Sequence, residues 1–96
     1  MKESVLFRFQ LYVADHGSNS TNAVSNLRAI CKAHLADQYE IEVVDVFKQP
    51  ARALAEKVFM TPTLIVVAPD PVRRLVGSLS DTLVVLRAIG IEQLSP

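Results

Sequence analysis

The chain is poorest in the residues that carry redox and metal chemistry. Of its 96 residues one is cysteine, two are histidine and none is tryptophan. A single thiol excludes an internal disulfide and dithiol exchange, and it predicts a reducing compartment. His16 and His34 have no cysteine or carboxylate partner at ligand spacing, which argues against a metal centre. An excess of one charge is also missing. Ten basic and ten acidic residues give zero net charge, so nothing predicts binding to nucleic acid or to an anionic membrane. The longest unbroken apolar run, Leu64–Ala68, falls far short of the ~20 residues of a membrane span. Met1-Lys2-Glu3-Ser4, with Arg8 inside the first apolar stretch, does not read as a signal peptide. Half the residues are hydrophobic, a composition that predicts one soluble, cytoplasmic domain over residues 1–96.

What is present is regular patterning. Val5, Phe7, Phe9, Leu11 and Val13 alternate with Arg8 and Gln10, which predicts a strand. Ser18, Asn19 and Ser20 offer helix N-caps, and Ala23, Val24, Leu27, Ile30, Cys31 and Leu35 recur at helical spacing. Tyr39–Val46 alternates again, as a second strand. Pro50 suits the first turn of a helix continuing to Phe59, with Leu54, Ala55 and Val58 on one side. Thr61-Pro62 must end any helix, and a cis peptide is predicted at Pro62. Thr63–Ala68 then reads as a strand covered on both faces. Pro69-Asp70-Pro71 turns the chain into an antiparallel strand over Val72–Gly77. Ser80 or Asp81 caps a last helix carrying Leu83, Val84, Leu86, Ala88 and Ile89, which Gly90 ends.

The resulting order, β-α-β-α-β-β-α, with a threonine-proline bend before a buried strand, resembles an α/β thioredoxin-like fold. The first three strands are expected to be joined by right-handed crossovers, and the last pair to form a hairpin. Thioredoxins carry their reactive thiol where the first strand meets the first helix, because the helix N-terminus lowers its pKa. Here that junction reads Asp15-His16-Gly17-Ser18-Asn19-Ser20, without cysteine. Cys31 lies deep in the helix on its apolar face and reads as a small buried hydrophobe. An enzyme reading would use Ser18 or Ser20 to activate a glutathione thiol, although the second domain such transferases need is not in this sequence. Asp45 reads as a strand end and Asp81 as a cap. Arg73-Arg74 reads either as a fork for phosphate or carboxylate or as charge that blocks edge-to-edge strand pairing.

Several segments resemble the KaiB family: Leu11-Tyr12-Val13-Ala14, Asn19-Ser20, Val43-Val44-Asp45-Val46-Phe47-Lys48-Gln49-Pro50, Lys57, and Thr61-Pro62-Thr63-Leu64. The most specific is Pro69-Asp70-Pro71-Val72-Arg73-Arg74-Leu75-Val76-Gly77-Ser78-Leu79-Ser80-Asp81. The sensor domain of the histidine kinase SasA is similar too. The resemblance implies a non-enzymatic clock protein without cofactor that docks on the ring ATPase KaiC and helps to sequester KaiA. A KaiB-like signalling module serving a SasA-like kinase or another regulator is the alternative partner reading. The resemblance also implies a metamorphic fold: a thioredoxin-like monomer that binds partners, and a tetrameric ground-state fold with a rearranged C-terminal half. Lys48, Lys57, Arg73 and Arg74 then become candidate partner contacts. Thr61, Pro62, Pro69, Pro71, Ala88 and Gly90 become candidate fold-switch positions.

Two departures from the family bear on these expectations. Ala88 and Gly90 stand where glycine and aspartate are common. Alanine favours helix over glycine by ~1 kcal/mol, and an aspartate near a helix C-terminus opposes the macrodipole. Both changes lean toward a helical ending, against Val84-Val85, whose β-branching suits strands. Positions that are basic in the family are here Asn22, Ser25, Glu42 and Val66, which predicts a docking face of altered charge.

Overall fold

The computed structural model describes residues 6–14 and 17–90, with Ser18 by its backbone alone. Strand β1 (Phe7–Val13) is followed by helix α1 (Ser18–His34), strand β2 (Tyr39–Asp45) and helix α2 (Pro50–Ala55). The hairpin strands β3 (Thr63–Ala68) and β4 (Arg73–Val76) and helix α3 (Thr82–Ala88) complete the predicted order. The expected contributions of Val5, Asp15 and His16 lie outside the described residues.

One sheet, in the order β2-β1-β3-β4, organises the domain. β1 and β2 are parallel, as a helical crossover requires. β3 is not parallel to them. It pairs antiparallel with β1, with Thr63 opposite Tyr12 and Leu64 opposite Leu11. The expectation of crossovers between all three strands is thus corrected. β2 finishes beside Val13 and β3 starts beside Tyr12, so the segment holding the six-residue α2 returns the chain to the end it left. β4 closes the hairpin, with Arg74 opposite Ile65 and Val76 opposite Thr63.

The alternation of each strand divides the apolar residues between two faces. On one face Phe9, Leu11, Val13, Leu64 and Val66 pack against Ala23, Leu27, Ile30 and Cys31 of α1 and Val85, Leu86 and Ile89 of the α3 region. On the other, Tyr12, Val44 and Ile65 meet Ala53 of α2. Tyr12, on the polar side of the predicted pattern, is fully buried there and donates from its hydroxyl to Gln10 Oε1 at 2.9 Å.

The helix ends follow local chemistry. The N-cap of α1 is Gly17, without a side-chain cap, rather than Ser18, Asn19 or Ser20. Asp81 caps α3, its Oδ1 accepting from the Val84 amide at 3.3 Å. Gly90, at φ 88°, follows the end of α3 as expected. The Thr61–Pro62 peptide is cis, as predicted, and so are Ala68–Pro69 and Asp70–Pro71. Pro62 is buried, and its carbonyl accepts from the Gly77 amide at 2.9 Å.

Candidate functional site

At the junction of β1 and α1, where a thioredoxin holds its thiol, the described residues include a structural tie. Ser20 is buried, and its Oγ accepts from the Ala14 amide at 3.3 Å, tying strand end to helix. Cys31 is fully buried about three turns further on, and burial pushes its thiol up to about 12. A neutral, enclosed thiol is not a nucleophile. Beside the junction an open groove of about 510 Å³ runs between α1 and β2, with Val13, Val24 and Val43 in its lining and Arg28 and Asp45 among its polar residues. Asp45 Oδ1 is turned to the chain itself and accepts from the Phe47 amide at 2.8 Å, shaping the turn after β2. Among the described residues, no group of three His, Cys, Asp or Glu is placed to hold a metal ion, and no helix is long and apolar enough to cross a membrane.

The opposite face offers a surface instead. Pro50 occupies the first turn of α2 as expected, but the helix stops at Ala55, four residues short of Phe59. The Val58 amide donates to Ala53 O at 2.8 Å and the Lys57 amide to Leu54 O at 3.0 Å, while Lys57 takes φ 57°. This is the Schellman closure, with lysine in the left-handed position that glycine usually fills. Val58 folds inward beside Ala53, as the closure favours. Leu54 and Ala55, expected on one side of the helix with Val58, part from it and are exposed, Leu54 with 72% of its surface. Phe47 at 70%, Phe59 at 79% and Met60 at 63% are likewise exposed on the segments flanking α2. Lys48 and Lys57 are exposed among them. At the β2 edge, Arg52 forks onto Glu42 with bonds of 2.6 and 2.9 Å, which holds the Glu42 carboxyl below its ordinary range.

Arg73 and Arg74 do not act together as a fork. Adjacent residues of a strand face opposite sides, and each arginine closes a different helix. Arg73 Nη1 donates to the Ala88 carbonyl at 2.8 Å, at the C-terminus of α3. A Cβ added to Gly90 would lie 3.0 Å from that same nitrogen. On the other face Arg74 Nη2 donates to the Glu56 carbonyl, and Nη1 reaches the Lys57 carbonyl at 3.5 Å. The Glu56 carboxylate stands 3.7 Å from Arg74 Nη2. A cation at a helix C-terminus also meets the negative end of the macrodipole.

The structure therefore brings Lys57 and Arg74 together and separates Arg73 from them. Val66, expected on an altered docking face, is buried in the core and belongs to no surface. Glu42 stays on the face but is taken up by Arg52. Sequence reading missed the exposed set Phe47, Leu54, Phe59 and Met60. The signal was there in the crowding of four large apolar residues on and around one short helix, of which only Leu54 belongs to the helix itself.

Residues 10–91 match the model of the KaiB domain. A circadian clock protein KaiB3 from Synechocystis is 42% identical over 82 residues, covering 85% of this chain and 80% of that protein. A circadian clock oscillator protein KaiB from Prochlorococcus marinus strain MIT 9312 is 44% identical over 85 residues, 88% of this chain and 79% of the relative. Among solved structures, the N-terminal domain of Synechococcus elongatus SasA superposes with a TM-score of 0.73 at 23% identity, covering 99% and 94% of the two chains. Mitochondrial thioredoxin 3 from Saccharomyces cerevisiae gives 0.70 at 14% identity, over 86% and 76%. At these identities the structural likeness shows the thioredoxin-like fold alone.

Proposed function

The chain belongs to the KaiB family, and from that premise we propose that it is a non-enzymatic clock-type regulator that binds a KaiC-type ring ATPase and modulates its phosphorylation cycle. The observation that carries this reading is the outward surface of α2 and its flanking loops. Phe47, Leu54, Phe59 and Met60 stand exposed on the same stretch of chain as the exposed Lys48 and Lys57, and exposed large apolar residues interspersed with charge are the kind of surface that docks proteins. The junction that is catalytic in thioredoxins offers no thiol among its described residues, which supports binding over catalysis.

The proposed resting state is the thioredoxin-like one, as a monomer. Ala88 supports it as the last residue of α3, with its carbonyl held by Arg73. Gly90 supports it by its left-handed φ, which an aspartate would adopt less readily. Pro62, Pro69 and Pro71 bracket β3 and would have to be rearranged with it in any second fold.

Light scattering on the chain alone and mixed with a KaiC-type ATPase plus ATP tests the proposal. A free monomer that joins the ring rapidly is the expected result. A tetramer that joins only slowly would place the resting state in the other fold. Failure to bind the ring, with binding to a SasA-like kinase instead, would overturn the choice of partner.

A further inference from the structure

We propose that Arg74 is a positioning residue: it pins the turn 56–61 that carries Lys57, Phe59 and Met60, and is not itself a contact for a partner. The inference rests on the docking face named above only for its functional consequence. The geometry stands by itself. Arg74 projects from β4 beneath the end of α2, and its two terminal nitrogens are directed at consecutive carbonyls, Glu56 and Lys57. Those carbonyls belong to the helix C-terminus, where intrahelical partners run out. The Lys57 carbonyl sits on a residue in the left-handed region, a conformation that must be held by its surroundings when the residue is not glycine. Beyond it Thr63 Oγ1 donates to the Met60 carbonyl at 2.5 Å, so the loop is fastened at one end to the edge strand β4 and at the other to its neighbour β3. Between these anchors Phe59 and Met60 are exposed. A short helix with little core beneath it depends on such ties for its position. A planar fork can serve both carbonyls at once, which an ammonium serves only one at a time.

Amide hydrogen exchange on the free chain decides the matter without any partner. In Arg74→Gln the Lys57 and Val58 amides are expected to exchange at least tenfold faster, with α1 amides unchanged. Arg74→Lys is expected to recover part of that protection. Unchanged exchange at both amides would overturn the proposal, and so would acceleration spread evenly into α1. With a KaiC-type ring, Arg74→Gln is expected to weaken binding while the salt dependence of the association rate stays that of the wild type. A flattened salt dependence would make Arg74 a direct contact and overturn the positioning role. If the wild type binds no such ring, the partner reading fails and the exchange result still judges Arg74.

Discussion

The two faces of the sheet are built to different standards. Under α1 and α3, Phe9, Leu11, Leu27, Leu64, Val66 and Val85 interlock in a continuous core. Under α2, Tyr12, Val44, Ala53 and Ile65 make a small one, and Leu54 of the same helix is turned to water. The first face spends its apolar residues on cohesion. The second leaves them outside, on the surface proposed above for docking. Burial, and not hydrophobicity as such, separates the two roles.

That division can be broken most directly by truncating one leucine on each face. Leu27→Ala is expected to lose about 2–5 kcal/mol of unfolding free energy, as buried leucines do. Leu54→Ala is expected to stay within ~0.5 kcal/mol, as exposed substitutions do. Equal losses in urea titrations would erase the distinction. The converse test is binding. Phe59→Ala is expected to weaken association with a KaiC-type ring about tenfold, ~1.4 kcal/mol, with an unaltered urea midpoint. Loss of stability in place of affinity would return Phe59 to the fold.

Smaller effects sharpen the contrast at the two helix ends. Lys57→Gly relieves a left-handed side chain and is expected to gain up to about 1 kcal/mol. Gly90→Ala creates the same strain and crowds Arg73, so a loss of about 1–2 kcal/mol is expected from the same titration. The smallest effect concerns Cys31. Its thiol should resist iodoacetamide in the native chain between pH 7 and 9 and react once the chain is unfolded, as mass spectrometry would show. Because burial raises its pKa from 9.0 to about 12, the stability gained by keeping it neutral is complete below pH 9. That contribution declines as the pH rises toward 12, so rapid native alkylation at pH 7 would contradict the burial.

The strands and α1 were legible because period-2 and period-3.6 patterns report one-sided burial, and Thr61-Pro62 marked the entry to β3. Tyr12 was missed because a residue buried on the second face breaks no alternation. The direction of β3 was missed because strand patterns carry no polarity; only the path through α2 sets it. The end of α2 was placed too late because Lys57 at a left-handed closure has no glycine to announce it. Arg73 and Arg74 could have been separated in advance, since neighbours on a strand diverge. Their carbonyl partners, fifteen to eighteen residues away, could not.

The hydrogen bond from Asn26 Nδ2 to the Ser78 carbonyl joins residues 52 apart, at 2.8 Å. It bears on the order in which the chain assembles as it leaves the ribosome. β1, α1 and β2 emerge first, yet the stripe of α1 holding Leu27 and Ile30 still lacks Leu64, Val66, Val85 and Ile89. Pairing at such sequence separation waits on the slow closure of long loops. A nascent chain ending at residue 60 is therefore expected to be protease-sensitive and prone to self-association, gaining resistance only when α3 is complete. Protection before β3 has emerged would contradict this order. The large core, first to be laid down in sequence, is the last to close.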